Sequence, residues 1–492
     1  MALRDAPRNL GAYMSDRASA GFLDSVLDRV GSLRTAWRDI AASARGVLSG
    51  GAPRPDLPDD DVAKLRAQML NCLDGRGGEV GARARAAELG RTYLALNPTG
   101  RERFLRLLAE DFDTDADAVA ACCGRLTRAA DAVERAAAQR ALRAALTAPR
   151  VTLLRQFNAL PEGVKFLVDR RAELLASGSK DPAFQALADD MRELLANWFD
   201  IGFLQLQRIT WDSSAALLEK LMAYEAVHEI QGWSDLKNRL DADRRCFAFF
   251  HPRMPDEPLI FVEVALVNGI AGNIHTLLDQ SAPIGDPQAA DTAIFYSISN
   301  CQRGLNGISF GDFLIKRVVD ALASELPRLK NYATLSPIPG FRRWLAREAE
   351  SGGLLLAAEA KAIQAILPEA DDDNADRQLL GVLDRPDWVE DSRTAAVLRE
   401  PLLRLCARYL LQARAASGRA LDPVAHFHLT NGARVERLNW LGDVSVKGLQ
   451  QSAGVMVNYN YRLDHIEANH EAYRSEHKVA AASAVRSLAR VS

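Results

Sequence analysis

At 492 residues, 48% apolar and 25% charged, the chain is too long for one compact core and ordinary for a soluble globular protein, so two or three domains are expected. A net charge of −3 supplies no basic field, which argues against nucleic acid as a partner. The longest apolar run, around Leu259–Leu278, is broken by Glu263, Asn268, Asn273 and His275, so it reads as a strand and a helix and not as a membrane span.

The first 50 residues carry Asp5, Asp16, Asp24, Asp28 and Asp39 among their arginines, whereas a transit peptide is poor in acids, so the segment reads as mature sequence. The last residues, Arg-Val-Ser, are not a peroxisomal address. Only ten of the 61 basic residues are lysine and alanine is abundant, a bias of GC-rich bacterial coding, and the cytoplasm is the expected compartment.

Residues 1–195 read as a bundle of seven or eight helices. Apolar positions recur three and four apart, as in LRAQML and FLRLLAEDF. Breakers fall at Gly50-Gly51-Ala52-Pro53, Asp74 to Gly78, Asn97-Pro98-Thr99-Gly100 and Leu160-Pro161, and Asp113-Thr114-Asp115 offers an N-cap. No His, Cys or paired carboxylates cluster there, which assigns this half to structure and assembly.

Composition changes near Trp198. Beyond it lie all eight histidines and the β-branched runs FAFF (247–250), LIFVEVAL (259–266), AIFYSIS (293–299), NYATLS (331–336), HFHL (426–429) and VMVNYNY (455–461), all read as strands. HPRMPDEP (251–258), with three prolines, reads as a connector, and helices are predicted at 213–224, 309–326 and 341–365. Residues 196–492 are thus a mixed α+β domain. AIFYSIS, the helix 309–326 and NYATLS form a strand–helix–strand crossover whose strands should be parallel. PEADDDNADRQ (368–378) reads as an acidic surface insertion.

Within CQRGLNGISFG, Arg303, Gly304, Gly307 and Gly311 lie between a strand and a helix. The spacing is neither a dinucleotide fingerprint nor a P-loop. Backbone N–H groups at such a helix start suit a pyrophosphate, and a tight turn that needs φ > 0 is the plainer reading. Ser336 in TLSPIPGF stands at the carboxyl end of a parallel strand, where ligands of such sheets bind. In HFHL, read as a strand, His426 and His428 project to one face and Phe427 to the other, and Asn431-Gly432 makes a turn. His251 is expected to be exposed in its connector, and His465, His470 and His477 to be solvated. The six cysteines show no C-x-x-C pair and no zinc spacing, so most are expected as packed thiols in a reduced compartment, Cys301 as a small filler.

YSIS, QRGLNG, GDFLIKRVV, LSPIPGF, LDPVAHFHLTNGA, RLNW, DVSVKG and NYNY, in this order between about Trp198 and Tyr461, resemble the malonyl-CoA decarboxylase family. The resemblance implies a catalytic domain of the GNAT (acetyltransferase) type after an N-terminal helical bundle, with the loop binding CoA pyrophosphate. It places the CoA-binding segment on Asn306, Gly307, Ile308, Ser309, Phe310, Gly311 and Asp312, the active serine on Ser336, the histidine on His428, a further serine on Ser297 and a tyrosine on Tyr461. Animal members have an acidic residue where this chain has Ser309. The expected partners are malonyl-CoA and acetyl-CoA with no nucleic acid, no membrane, and a homo-oligomer (a tetramer built as a dimer of dimers). No metal and no organic cofactor are expected, for no ligand cluster, biotin sequence or Schiff-base lysine motif stands out. Ser336 and His428 are expected to act together on the malonyl group, the histidine titrating near neutrality, with the final proton donor left open. The alternatives are a GNAT-type acyl-CoA acyltransferase and an acyl-CoA-binding regulatory protein.

Overall fold

The computed structural model describes residues 33, 35–41, 53–74, 78–178, 180–308, 314–366 and 374–490. The chain divides into two compact units. The first comprises Met1–Gln205 with Phe250–Leu259 and Asn300–Phe310, and the second comprises Leu206–Phe249, Ile260–Ser299 and Gly311–Ser492.

The first unit is mainly helical, with eight α-helices described between Asp59 and Trp198 and the ends of strands from 250–259. The start signals act where the sequence places them: Asn97 caps the helix Pro98–Glu110 through the N–H of Gly100, and Asp115 caps Ala116–Arg128 through those of Asp117 and Ala118. Its core is aromatic. Phe166 meets Trp37 and Phe157 at 5.1 Å and Tyr93 at 5.6 Å between ring centroids. His251, expected to be exposed, is buried here instead: Trp198 O lies 2.9 Å from its Nε2, and its Nδ1 accepts from the Arg253 N–H.

A seven-stranded sheet runs in the order β1-β2-β3-β4-β5-β7-β6. The strands are β1 (Gln205–Ile209), β2 (Arg244–His251), β3 (Met254–Val267), β4 (Thr292–Asn300), β5 (Asn331–Thr334), β6 (Arg434–Asn439) and β7 (Met456–Asn460). β4 and β5 pair in parallel, Phe295 opposite Thr334, across the helix Leu314–Glu325. That helix buries Leu314, Ile315, Val318, Val319 and Leu322, the 3.6-residue stripe of a crossover packed on a sheet. Ile294, Tyr296, Ala333, Leu335 and Met456 gather in one core cluster on one face of the sheet. By alternation, Phe295, Ser297, Thr334, Ser336, Val457, Tyr459 and Tyr461 belong to the other. No described helix is long and apolar enough to cross a membrane.

Three further expectations change. The expected connector 251–258 shrinks to Pro252-Arg253, because β3 already starts at Met254. The helix expected over 341–365 is two, Phe341–Ser351 and Ala357–Gln364, parted by Gly352 and Gly353 at φ of +74° and +82°. Of the expected acidic insertion, residues 368–373 lie outside the described residues, and Asn374 caps a helix, Ala375–Asp384, that takes up the remainder. Its Asp376 is buried and accepts the N–H groups of Leu354 and Leu355.

Candidate active site

The segment carrying His428 is helical, against the strand expected from HFHL. Asp422 accepts the N–H groups of Val424 and Ala425 at 3.0 Å each, and Pro423 occupies the first turn of the helix Pro423–Thr430. An N-cap followed by proline outweighs a β-like run of four residues. At about 100° per residue, His426 and His428 then leave the helix roughly 200° apart, not on one face. His426 Nδ1 pairs with Tyr473 Oη at 2.9 Å. His428 points the other way, toward Ser336, Tyr459 and Tyr461 at the ends of β5 and β7.

There it meets Ser336. The Ser336 Oγ and His428 Nε2 are 3.2 Å apart, and the Tyr461 Oη stands 2.7 Å from His428 Nδ1. Ser336 Oγ–H donates to Thr334 Oγ1 at 2.8 Å, and the same oxygen accepts the Tyr459 N–H at 3.1 Å. With that direction fixed, Nε2–H donates to Ser336 and Tyr461 donates to Nδ1, so one chain of hydrogen bonds runs Tyr461 to His428 to Ser336 to Thr334. The Tyr459 ring stacks on the imidazole at 4.6 Å. All five residues are buried.

Burial pushes the His428 imidazole down to about 3, and pushes the Tyr461 phenol well up. The expected histidine, charging near neutrality, is therefore not the one the fold makes. His428 is neutral at pH 7, a donor on one nitrogen and an acceptor on the other. Neutral, it can donate and accept hydrogen bonds but carries no charge to hold a carboxylate.

Ser297 lies one strand over, on β4. It follows Phe295 as Ser336 follows Thr334, so both serines leave the same sheet face. Its hydroxyl stands 2.8 and 2.7 Å from the two carboxylate oxygens of Glu225, which also accepts Ser299 Oγ–H at 3.2 Å and the N–H groups of Val227 and His228 at 2.8 Å each. Glu225 was not legible as a site residue: it ends a helix in a segment with no motif.

In the first unit, Cys301 to Ile308 form a tight turn around a 3-10 segment, Arg303–Leu305. Cys301, Gly304, Leu305 and Ile308 are buried, whereas Arg303, Asn306 and Gly307 are exposed. Gly307 has φ +77°, the turn requirement. Gly304 lies flush on the helix Gly163–Ala176: a Cβ there would stand 1.8 Å from the Val168 carbonyl oxygen. From the same helix the buried Arg171 donates to the Gly304 carbonyl at 2.6 Å and the Asn306 carbonyl at 2.9 Å. Ser309, Phe310, Gly311 and Asp312 lie outside the described residues. Among the described residues, no group of three or more His, Cys, Asp and Glu is arranged to hold a metal ion.

The malonyl-CoA decarboxylase C-terminal domain profile matches residues 202–492, and the corresponding N-terminal domain profile matches 112–199. The mitochondrial malonyl-CoA decarboxylase of Anser anser anser is 37% identical over 423 residues, 83% of either chain. That of Rattus norvegicus is 35% identical over 453 residues, 89% of this chain and 88% of its own. The crystal structure of malonyl-CoA decarboxylase from Rhodopseudomonas palustris superposes with a TM-score of 0.78 at 44% identity, covering 87% of this chain and 99% of that one. The Agrobacterium vitis malonyl-CoA decarboxylase structure gives 0.78 at 43% with the same coverage. With the C-terminal profile spanning more than half of its length, the chain belongs to the malonyl-CoA decarboxylase family.

Proposed function

We propose that malonyl-CoA, the substrate of the family's reaction, loses its carboxylate at the Tyr461–His428–Ser336 chain. The observation that carries this is the 3.2 Å Ser336–His428 contact, backed by Tyr461 on the other ring nitrogen and buried on the face that also carries Ser297.

Decarboxylation moves the C–C bonding pair onto the thioester carbonyl as an enolate, releases CO₂ and then places a proton on the α-carbon. The Ser336 hydroxyl, turned from Thr334 to the thioester oxygen, donates to the growing oxyanion. Meanwhile it accepts from His428 Nε2–H, which makes it a better donor, and Tyr461 supports the far side of the imidazole. A preorganised donor of this kind contributes about 3 kcal/mol to the transition state. A neutral histidine suits that role, because it places no positive charge where the carboxylate must leave as neutral CO₂. Ser297, held by Glu225, is assigned to the acyl group's other oxygens.

The CoA-binding segment is assigned to Arg303, Gly304, Asn306, Gly307, Ile308, Ser309, Phe310, Gly311 and Asp312. The exposed Arg303 side chain and the exposed Gly307 are the groups suited to phosphate, the Asn306 N–H being held by the Arg303 carbonyl. The proposal includes an assembly domain, 1–195, a catalytic domain, 196–492, a homotetramer (a dimer of dimers) and a cytoplasmic setting. Light scattering tests the assembly, and a monomer contradicts it.

Malonyl-CoA supplied alone in heavy water tests the chemistry. Acetyl-CoA and CO₂ should appear in equal amounts, with one deuterium in each acetyl methyl and no free malonate. Malonate release would mark a hydrolase, and silence until an amine or alcohol is added would mark an acyltransferase.

A further inference from the structure

We propose that Asp422 is a positioning residue for the reaction, the buried carboxylate that sets the Ser336 hydroxyl and the His428 imidazole at their working distance. This rests on the Ser336–His428 reading given above.

The two groups come from separate elements, one from the end of β5 and one from the helix Pro423–Thr430. Asp422 bonds to the start of that helix and to Gly340, which follows Ser336 in the chain. One carboxylate oxygen accepts the Val424 and Ala425 N–H groups and caps the histidine helix. The other accepts the Gly340 N–H at 3.2 Å and the Tyr409 hydroxyl at 3.3 Å. Gly340 closes Ser336-Pro337-Ile338-Pro339-Gly340, a segment whose two prolines fix φ, so a hold on Gly340 is transmitted back to Ser336.

A cap alone explains neither the second oxygen nor the burial. N-caps work through one oxygen and are as good at the surface, whereas Asp422 is 1% exposed. Burial raises its carboxyl, and the N–H groups of Ala425, Gly340 and Val424 act against that rise. The closeness is also specific to glycine at 340, for a Cβ there would stand 2.1 Å from the Tyr409 hydroxyl. Tyr459, stacked on His428, has its phenol raised by burial first and then by the Asp422 charge, so the carboxylate also acts on the layer beneath the imidazole.

Two variants separate tethering from capping. Asp422→Asn keeps a capping oxygen but turns an NH₂ toward the Gly340 N–H, donor against donor. Asp422→Ser keeps a good cap and is too short to reach Gly340. Both should lower kcat by about tenfold to a hundredfold, the usual cost of misplacing a reacting group by about 1 Å. Both should leave KM for malonyl-CoA and the affinity for CoA within about twofold. Near-native kcat in either folded variant would overturn the proposal by reducing Asp422 to a cap. Loss of the cooperative thermal transition in both would overturn it too, by making Asp422 a folding residue. His428→Ala, assayed alongside, tells the two failures apart. If that variant turns over normally the active-site reading falls, and if it is inactive while Asp422→Ser is not, only the tether falls.

Discussion

Replacing His428 or Ser336 with alanine is expected to lower kcat by about a hundredfold or more while CoA affinity stays within about twofold, measured by steady-state turnover and by CoA titration. The large effect on kcat follows from the geometry. Ser336→Ala removes the hydroxyl bonded to His428 Nε2, and His428→Ala leaves Ser336 without the donor that polarises it. The same burial sets the pH dependence. A histidine pushed down to about 3 does not change charge between pH 5 and 8, so log kcat should show no inflection near 6.5, the ordinary value. An inflection there that vanished with His428 would mean that the imidazole is solvated during turnover.

Arg171→Ala is expected to do the reverse, raising the dissociation constant for CoA by tenfold or more, about 1–3 kcal/mol for unpaired carbonyls, with little change in kcat on saturating substrate. Arg171 is buried in the helical unit and holds the carbonyls of Gly304 and Asn306, while Gly304 has no room for a side chain against Val168. Without that hold, the turn that presents Arg303, Asn306 and Gly307 loses its fixed shape. Calorimetry on CoA decides it. Unchanged affinity would show that the turn is not the phosphate site, and a fall in kcat alone would move Arg171 to another role.

Much of this was readable from the chain. β4, the crossover helix and β5 announce themselves by period and order, and their parallel pairing follows from the length of the connection. The helical half is legible from its spacing and caps. Ser336 and His428 stand out by position and pattern, Tyr461 by the family resemblance, and the structure brings the three together, whereas Ser297 joins Glu225 instead.

The errors have physical causes. HFHL looks like a strand because its residues favour sheets, and the deciding signal, Asp422-Pro423, lies just before it. The charge state of His428 is not legible locally, because its burial is set by Tyr459, Tyr461 and β5, which are distant in sequence. Short strands such as β6, RVERLN, alternate apolar and charged residues too weakly to stand out from a polar loop. Arg171, Glu225 and Asp422 act through pairings across long stretches of chain, which no local pattern encodes.

The most direct test of the central claim is a structure of the Ser336→Ala protein with malonyl-CoA bound, a complex trapped by rapid cooling because binding is retained while turnover is slowed about a hundredfold or more. The thioester oxygen should lie within hydrogen-bond distance of His428 Nε2, in the space vacated by the serine hydroxyl, with Tyr461 still on Nδ1. A malonyl group seated beyond reach of His428 would contradict the account and move the chemistry to another part of the molecule.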